Sequence, residues 1–263
     1  KLITSTSNQH IKDIKRLRDR KYRSESNLCY IEGIRIVFEA IKQKAEMLEI
    51  VYSPELSKSN IIKEIINNSS LLGVEILEVS KIVFEYLSSK DGPQGIAAVI
   101  RQKWIPLDNI RIKNNVWLAL YEIADPGNLG TIMRTCDATQ AEGIILLDDC
   151  TDPYDPTAVR GSMGGLFSVK LCKTSSENFT SWVTKNKVKM IGASDKAEID
   201  YRHMNYPKGM ILLMGSERQG IPDNLQKICQ NMISIPMKGN CDSLNLSVAT
   251  SIILYEVLSS YEE

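Results

Sequence analysis

The stretch Ile233-Ser234-Ile235-Pro236-Met237-Lys238-Gly239, continued by Ser243-Leu244-Asn245-Leu246-Ser247-Val248-Ala249-Thr250, reads as a buried strand, a loop and the start of an apolar helix. Polar Ser243 and Asn245 stand directly before that helix, where serine and asparagine are preferred caps. Capping accounts for either of them but not for Ile235-Pro236-Met237 alongside. Outward from this stretch, apolar runs lie over 116–123, 143–147, 167–171, 188–193 and 210–214, with 232–235 closing the series and helical segments between them. Continuous apolar runs mark parallel strands buried on both faces. The chain is therefore predicted to be α/β, with a mostly parallel sheet covered by helices.

Ligands of open parallel sheets gather beyond the carboxyl ends of the strands, so the loops there carry the functional signal. One follows 116–123 and reads Asp125-Pro126-Gly127-Asn128-Leu129-Gly130, leading into Thr131-Ile132-Met133-Arg134-Thr135. By itself it is a proline-glycine turn capped by Asn128, with Arg134 on an exposed helix face. Another follows 210–214 and reads Gly215-Ser216-Glu217-Arg218-Gln219-Gly220-Ile221-Pro222. Its glycines let backbone approach a ligand closely. Its spacing is that of a phosphate loop, but Ile221 and Pro222 occupy the positions that need Lys and Ser or Thr. No G-x-G-x-x-G follows a candidate strand either, so both nucleotide fingerprints are excluded.

At 263 residues the chain exceeds the usual single-domain length of about 150 and predicts two domains. Helix-like stretches over 34–44, 59–67 and 80–88 alternate with β-rich runs over 48–52, 74–79 and 96–100, as in a small α/β domain. Pro106 and several charges without periodicity mark 104–114 as a linker, giving domains over 1–103 and 115–263.

Formal net charge is zero, with 32 basic and 32 acidic residues, but the balance is uneven. Residues 1–23 hold Lys1, Lys12, Lys15, Arg16, Arg18, Arg20, Lys21 and Arg23 against Asp13 and Asp19. Ile11, Ile14 and Leu17 recur at helical spacing, predicting an amphipathic helix over 8–22. Phosphate is the natural partner of such an excess, so Lys12, Lys15, Arg16, Arg18, Arg20, Lys21 and Arg23 are candidate contacts to a nucleic-acid backbone. A surface helix docked by its apolar stripe gives the same pattern, and only the charge separates the two.

The six cysteines are scattered singly, with two histidines in the whole chain, so no metal site is expected. No apolar run approaches the roughly 20 residues of a membrane helix, and no signal pattern opens the chain. A cytoplasmic protein is expected, with a native start upstream of Lys1.

The three loops together read N-L-G-x-x-x-R-x-x-x-A, G-x-E-x-x-G-I and I-P-M…S-L-N-x-S-x-A, in that order. They resemble the motifs of the SpoU (TrmH-like) family of SPOUT-class RNA 2′-O-ribose methyltransferases, over roughly 115–261. Ser7-Asn8-Gln9-His10-Ile11-Lys12, Ile31-Glu32-Gly33 and Gln94-Gly95 are similar to the substrate-binding domain that often precedes the catalytic one.

The resemblance implies a trefoil knot in the C-terminal domain, which topology rules alone argue against. It implies methyl transfer from S-adenosylmethionine to a ribose 2′-hydroxyl, in ribosomal RNA ahead of transfer RNA. Leu213, Gly215, Gly220, Ile235, Pro236, Met237 and Leu244 would form the cofactor pocket. Asn128, Arg134, Glu217, Ser243 and Asn245 would line the reacting point. A guanidinium keeps its proton at ordinary pH, so Arg134 is expected to clamp a phosphate rather than act as base. A homodimer through the C-terminal domain is implied, with residues of the first motif completing the partner's site. The reading from another class is an RNA-binding protein that keeps the fold without activity. Against it, every chemical motif position holds the expected residue type.

Overall fold

The structure is a computed structural model that describes residues 2–57, 59–71, 73–89 and 91–262. Lys1, part of the basic excess, lies outside the described residues. The chain forms two compact units, one of 1–102 with 154–167 and one of 103–153 with 168–263.

The first unit contains α1 (Gln9–Arg16), α2 (Arg20–Ser26), β1 (Leu28–Glu32), α3 (Ile34–Lys42), β2 (Met47–Tyr52), α4 (Asn60–Leu71), β3 (Glu75–Glu78), α5 (Lys81–Leu87) and β4 (Ile96–Arg101). Its sheet runs β1-β4-β2-β3, antiparallel except for β2 with β3. The helix predicted over 8–22 is two helices. Asn8 caps α1 through His10 N and Ile11 N, the helix ends at Leu17, and Asp19 starts α2 by accepting from Tyr22 N at 3.1 Å. The apolar period ends with the first helix at Leu17, and Asp19 supplies the side-chain acceptor that starts the second. Ile11, Ile14 and Leu17 do face inward, packed with Val83, Phe84 and Leu87 of α5.

The segment 154–167 carries α7 (Pro156–Ser162), whose N-cap Asp155 accepts from Thr157 N. It is fastened inside the first unit. The Cys29 thiol donates to Tyr154 O at 3.5 Å, and Arg23 Nη2 lies 3.9 Å from Asp155. Gly164, at φ +103°, leaves no room for a Cβ beside the Glu39 side chain. The strand predicted over 167–171 consequently starts late, at Lys170, because a 3-10 turn over Gly165–Phe167 still belongs to this docked segment.

The second unit contains β5 (Val116–Tyr121), α6 (Pro126–Ala138), β6 (Gly143–Leu147), β7 (Lys170–Thr174), α8 (Ser176–Asn186), β8 (Lys189–Ala193), β9 (Ile199–Asp200), β10 (Met210–Met214), α9 (Asp223–Gln226), β11 (Asn231–Ser234) and α10 (Leu246–Glu262). The sheet order is β7-β6-β5-β10-β8-β11-β9, and every pairing is parallel. This is the predicted α/β class. The strands β6 and β10 are buried at every position, each large aliphatic contributing about 1.5–3 kcal/mol. From β5 the chain winds to one side through β6 and β7, then returns to the other side through β8. The strand order therefore reverses beside β5, where a crevice opens at the carboxyl ends.

Candidate active site

The loop after β5 and the loop after β10 meet at that reversal. Asp125 accepts from Asn128 N at 2.6 Å and Pro126 takes the first turn of α6. The cap is therefore Asp125 rather than Asn128, whose side chain is left for other work. Asn128 Nδ2 donates to Glu217 Oε1 at 3.2 Å, and Asn128 Oδ1 accepts from Asn245 Nδ2 at 3.0 Å. Asn245 Oδ1 in turn accepts from Ser247 N and Ser247 Oγ. Ala124 N reaches Glu217 Oε2 at 3.5 Å.

One polarised chain of hydrogen bonds thus joins the three loops, each amide fixed in orientation by the next, with the Glu217 carboxylate as final acceptor. It lines a cleft of about 640 Å³ shared with Glu122, Asp125, Arg218 and Gln219. Glu122 is at φ +47°, a conformation that side-chain-bearing residues seldom adopt outside functional loops.

The loop 216–220 is closed on itself by reciprocal backbone bonds between Ser216 and Gly220. Gly215 makes this possible, since a Cβ there would sit 2.2 Å from the carbonyl carbon of Gly220.

A second cavity, of about 120 Å³, opens at the ends of β8, β10 and β11. Met214, Ile233, Ile235, Met237, Leu244 and Ile253 supply apolar walls, and Ser194, Asp195, Asp242 and Ser243 supply polar groups. Of the predicted pocket residues, Ile235, Met237 and Leu244 line it and Pro236 lies between two of them in the same loop. Leu213 is instead core, Gly215 is buried beneath its loop, and Gly220 closes that loop. Ser194 and Asp195 were not anticipated. Their signal was the run over 188–193, another strand whose carboxyl end carries a loop.

Asn128, Glu217 and Asn245 are brought together, while Ser243 belongs to the second cavity. Arg134 stands apart from both. It is exposed, lines neither cavity and lies six residues beyond Asn128 on α6, about 240° around the helix axis. Around α10, Val248 and Tyr255 are apolar residues about half exposed, at 46% and 53%.

The basic residues of the first unit divide into two sets. Arg23 is 2% exposed and donates to Leu17 O and Arg18 O, a structural role. Lys15 donates to Tyr86 O, and Arg18 to the carbonyls of Leu87 and Ser88. Burial, with the Arg18 charge adding, pulls the Lys15 ammonium down to about 8. Lys12, Arg16, Arg20 and Lys21 are exposed.

Burial pushes the Cys136 thiol up to about 12 and Cys150 and Cys172 to about 11, so these remain protonated and weak as nucleophiles. Among the described residues no cluster of His, Cys, Asp or Glu could hold a metal ion, and no helix is long and apolar enough to cross a membrane.

Comparison with known proteins divides the chain between two family models. The family model for the SpoU rRNA Methylase family matches residues 115–255, and that for the MRM3-like substrate binding domain matches residues 8–98. A Bacillus subtilis relative, 23S rRNA (guanosine(2553)-2'-O)-methyltransferase RlmP, is 28% identical over 98% of this chain and 99% of its own length. The 23S rRNA (uridine(2479)-2'-O)-methyltransferase of Streptomyces viridochromogenes is 26% identical over 92% of this chain and 86% of its own. Among solved structures, the AdoMet-bound rRNA methyltransferase from Sinorhizobium meliloti superposes with a TM-score of 0.89 at 34% identity, covering 98% of this chain and 97% of that one. With its three motifs gathered at one end of a parallel sheet, the chain belongs to the SpoU rRNA Methylase family.

Proposed function

We propose that this protein transfers a methyl group from S-adenosylmethionine to a ribose 2′-hydroxyl of ribosomal RNA. The hydrogen-bonded chain Asn245–Asn128–Glu217, set beside an apolar cavity at the reversal of strand order, carries this reading. The second cavity suits the cofactor by its chemistry. Aliphatic and thioether walls accept a neutral adenine, and Ser194 and Ser243 offer hydroxyls to a ribose. Asp195 and Asp242 would offer negative charge to its sulfonium and ammonium groups. When bound, the cofactor supplies an electrophilic methyl carbon.

The protein's own part is to hold the 2′-oxygen in line and to stabilise charge as its proton leaves. Asn128 and Asn245 fix the geometry of the reacting loops, and Glu217 orients them as the terminal acceptor. Arg134 grips the phosphate beside the target ribose through its planar fork, stabilising the developing alkoxide. Because Arg134 points away from the network in its own chain, it serves the site of a second copy, and the working enzyme is a homodimer through the second unit. RNA is held by cations of the first unit, and methyl transfer is performed by the second. A ribosomal substrate places the work in the cytoplasm.

The test is to map 2′-O-methylated riboses in ribosomal and transfer RNA from cells with and without the active protein. One ribosomal position should lose its methyl group in the protein's absence and regain it in vitro with purified protein and labelled cofactor. A change confined to transfer RNA would reassign the substrate. Cofactor binding without transfer to any RNA would leave a non-catalytic RNA-binding protein.

A further inference from the structure

A small cavity in the first unit is lined by Arg18, Tyr30, Glu32, Ser89 and Arg160, with Leu17 among its apolar walls. The Tyr30 hydroxyl in it is buried and has no hydrogen-bond partner among the described residues. An orphaned buried hydroxyl is costly unless something supplies an oxygen. The carboxylate of Glu32 already accepts from Ser88 Oγ at 2.6 Å and from Ser89 N at 3.2 Å. Both guanidiniums are tied to the same short run: Arg18 donates to the carbonyls of Leu87 and Ser88, and Arg160 Nη1 to Ser89 Oγ at 3.2 Å. Two fixed guanidiniums face one satisfied carboxylate, with Tyr30 and Ser89 hydroxyls beside them, so the cavity is positive and rich in donors. Its inner space of about 20 Å³ holds roughly one oxygen atom and excludes a nucleobase.

We propose that this cavity is a phosphate subsite for the RNA backbone, in which Arg18 and Arg160 clamp one phosphate at the mouth while a non-bridging oxygen reaches Tyr30 and Ser89. The inference rests on the reading that the substrate is RNA and adds a place where that RNA is held. Arg160 comes from α7, distant in sequence from the basic N-terminal segment, and is delivered by the docking of 154–167 through Tyr154 and Asp155. A clamp already ordered by protein contacts loses little further side-chain freedom on binding.

The experiment measures affinity of the full chain for deproteinised 23S ribosomal RNA across a salt series, for wild type, Arg160→Ala, Arg160→Lys and Tyr30→Phe. Arg160→Ala should weaken binding about tenfold and lower the magnitude of the log-log salt slope by about one unit, the signature of one phosphate contact. Arg160→Lys should restore the slope but not the full affinity, because a point charge does not reproduce the fork. Tyr30→Phe should weaken RNA binding about two- to fivefold at an unchanged slope, without lowering the urea midpoint, since the hydroxyl has no protein partner to lose. Binding of labelled S-adenosylmethionine should match wild type in every variant. Wild-type affinity and slope in Arg160→Ala and Tyr30→Phe would overturn the subsite while leaving the function standing. So would inorganic phosphate that binds the protein without competing with RNA, which would mark a site for free anions. Failure of the wild type to bind ribosomal RNA at all would sink the functional reading and the subsite together.

Discussion

Replacing Arg134 by alanine should reduce methyl transfer by about a hundredfold or more, the usual consequence of deleting a preorganised group that meets developing charge. Cofactor affinity, read by equilibrium binding, should stay within about twofold of wild type, because Arg134 lines neither cavity. Lysine at this position should rescue weakly, and normal turnover in Arg134→Lys would exclude a bidentate clamp. A second residue-scale test concerns Gly215. An alanine Cβ would lie 2.2 Å from the Gly220 carbonyl carbon and 2.4 Å from Ile221 N, with backbone on both counts and nothing flexible to yield. Gly215→Ala should cost about 1–3 kcal/mol, seen as a lower urea midpoint at unchanged slope. It should also displace Glu217 from Asn128. Most of this site was legible because short motifs fix residue types at loop positions that the strand pattern had already located. The exposed face of Arg134 was legible from its place in the helix, but the Asp125 cap was not, since Asp125 and Asn128 are both good caps and only the backbone decides which one starts the helix.

The elements were legible where burial is uniform. β6 and β10 begin and end where their apolar runs do. The basic helix was not, because Asp19 resets the backbone just past the last apolar position, Leu17, among charged residues that carry no period of their own. Nor could the docking of α7 into the first unit be seen, as it depends on long-range partners such as Arg23 with Asp155 and Cys29 with Tyr154, which leave no local period. The two short helices α1 and α2 carry cations that bind backbone carbonyls and cations that are exposed, and the difference is measurable. Neutralising the exposed Lys12, Arg16, Arg20 and Lys21 together should lower the RNA salt slope by about 2–3 units, with far-UV circular dichroism and stability unchanged. Replacing Lys15 instead should lower the thermal midpoint, because it holds a carbonyl at the end of α5. Parallel salt slopes for wild type and the fourfold variant would show that this basic surface does not carry RNA.

At the scale of the whole molecule, the proposed homodimer would leave each chain with an incomplete site. Asn128, Glu217 and Asn245 are assembled beside the apolar cavity, while the exposed Arg134 leaves α6 on another side. The half-exposed Val248 and Tyr255 of α10, a helix packed against α6, offer apolar surface on which a two-fold partner could seat. If Arg134 acts in the partner's site, two variants that are each inactive should complement when mixed. Arg134→Ala chains keep an intact network and lack the clamp they lend, while Glu217→Gln chains lend an intact clamp and lack the network. Unfolding and refolding them together in equal amounts should give heterodimers as half of all dimers. Each heterodimer has one site with network and clamp both whole, so activity should return to about a quarter of wild type. Separately refolded variants, mixed afterwards and assayed before subunits exchange, should remain inactive. Failure to complement, with a dimer confirmed by sedimentation and both variants folded, would place Arg134 in the site of its own chain and require a movement of α6 to bring it there.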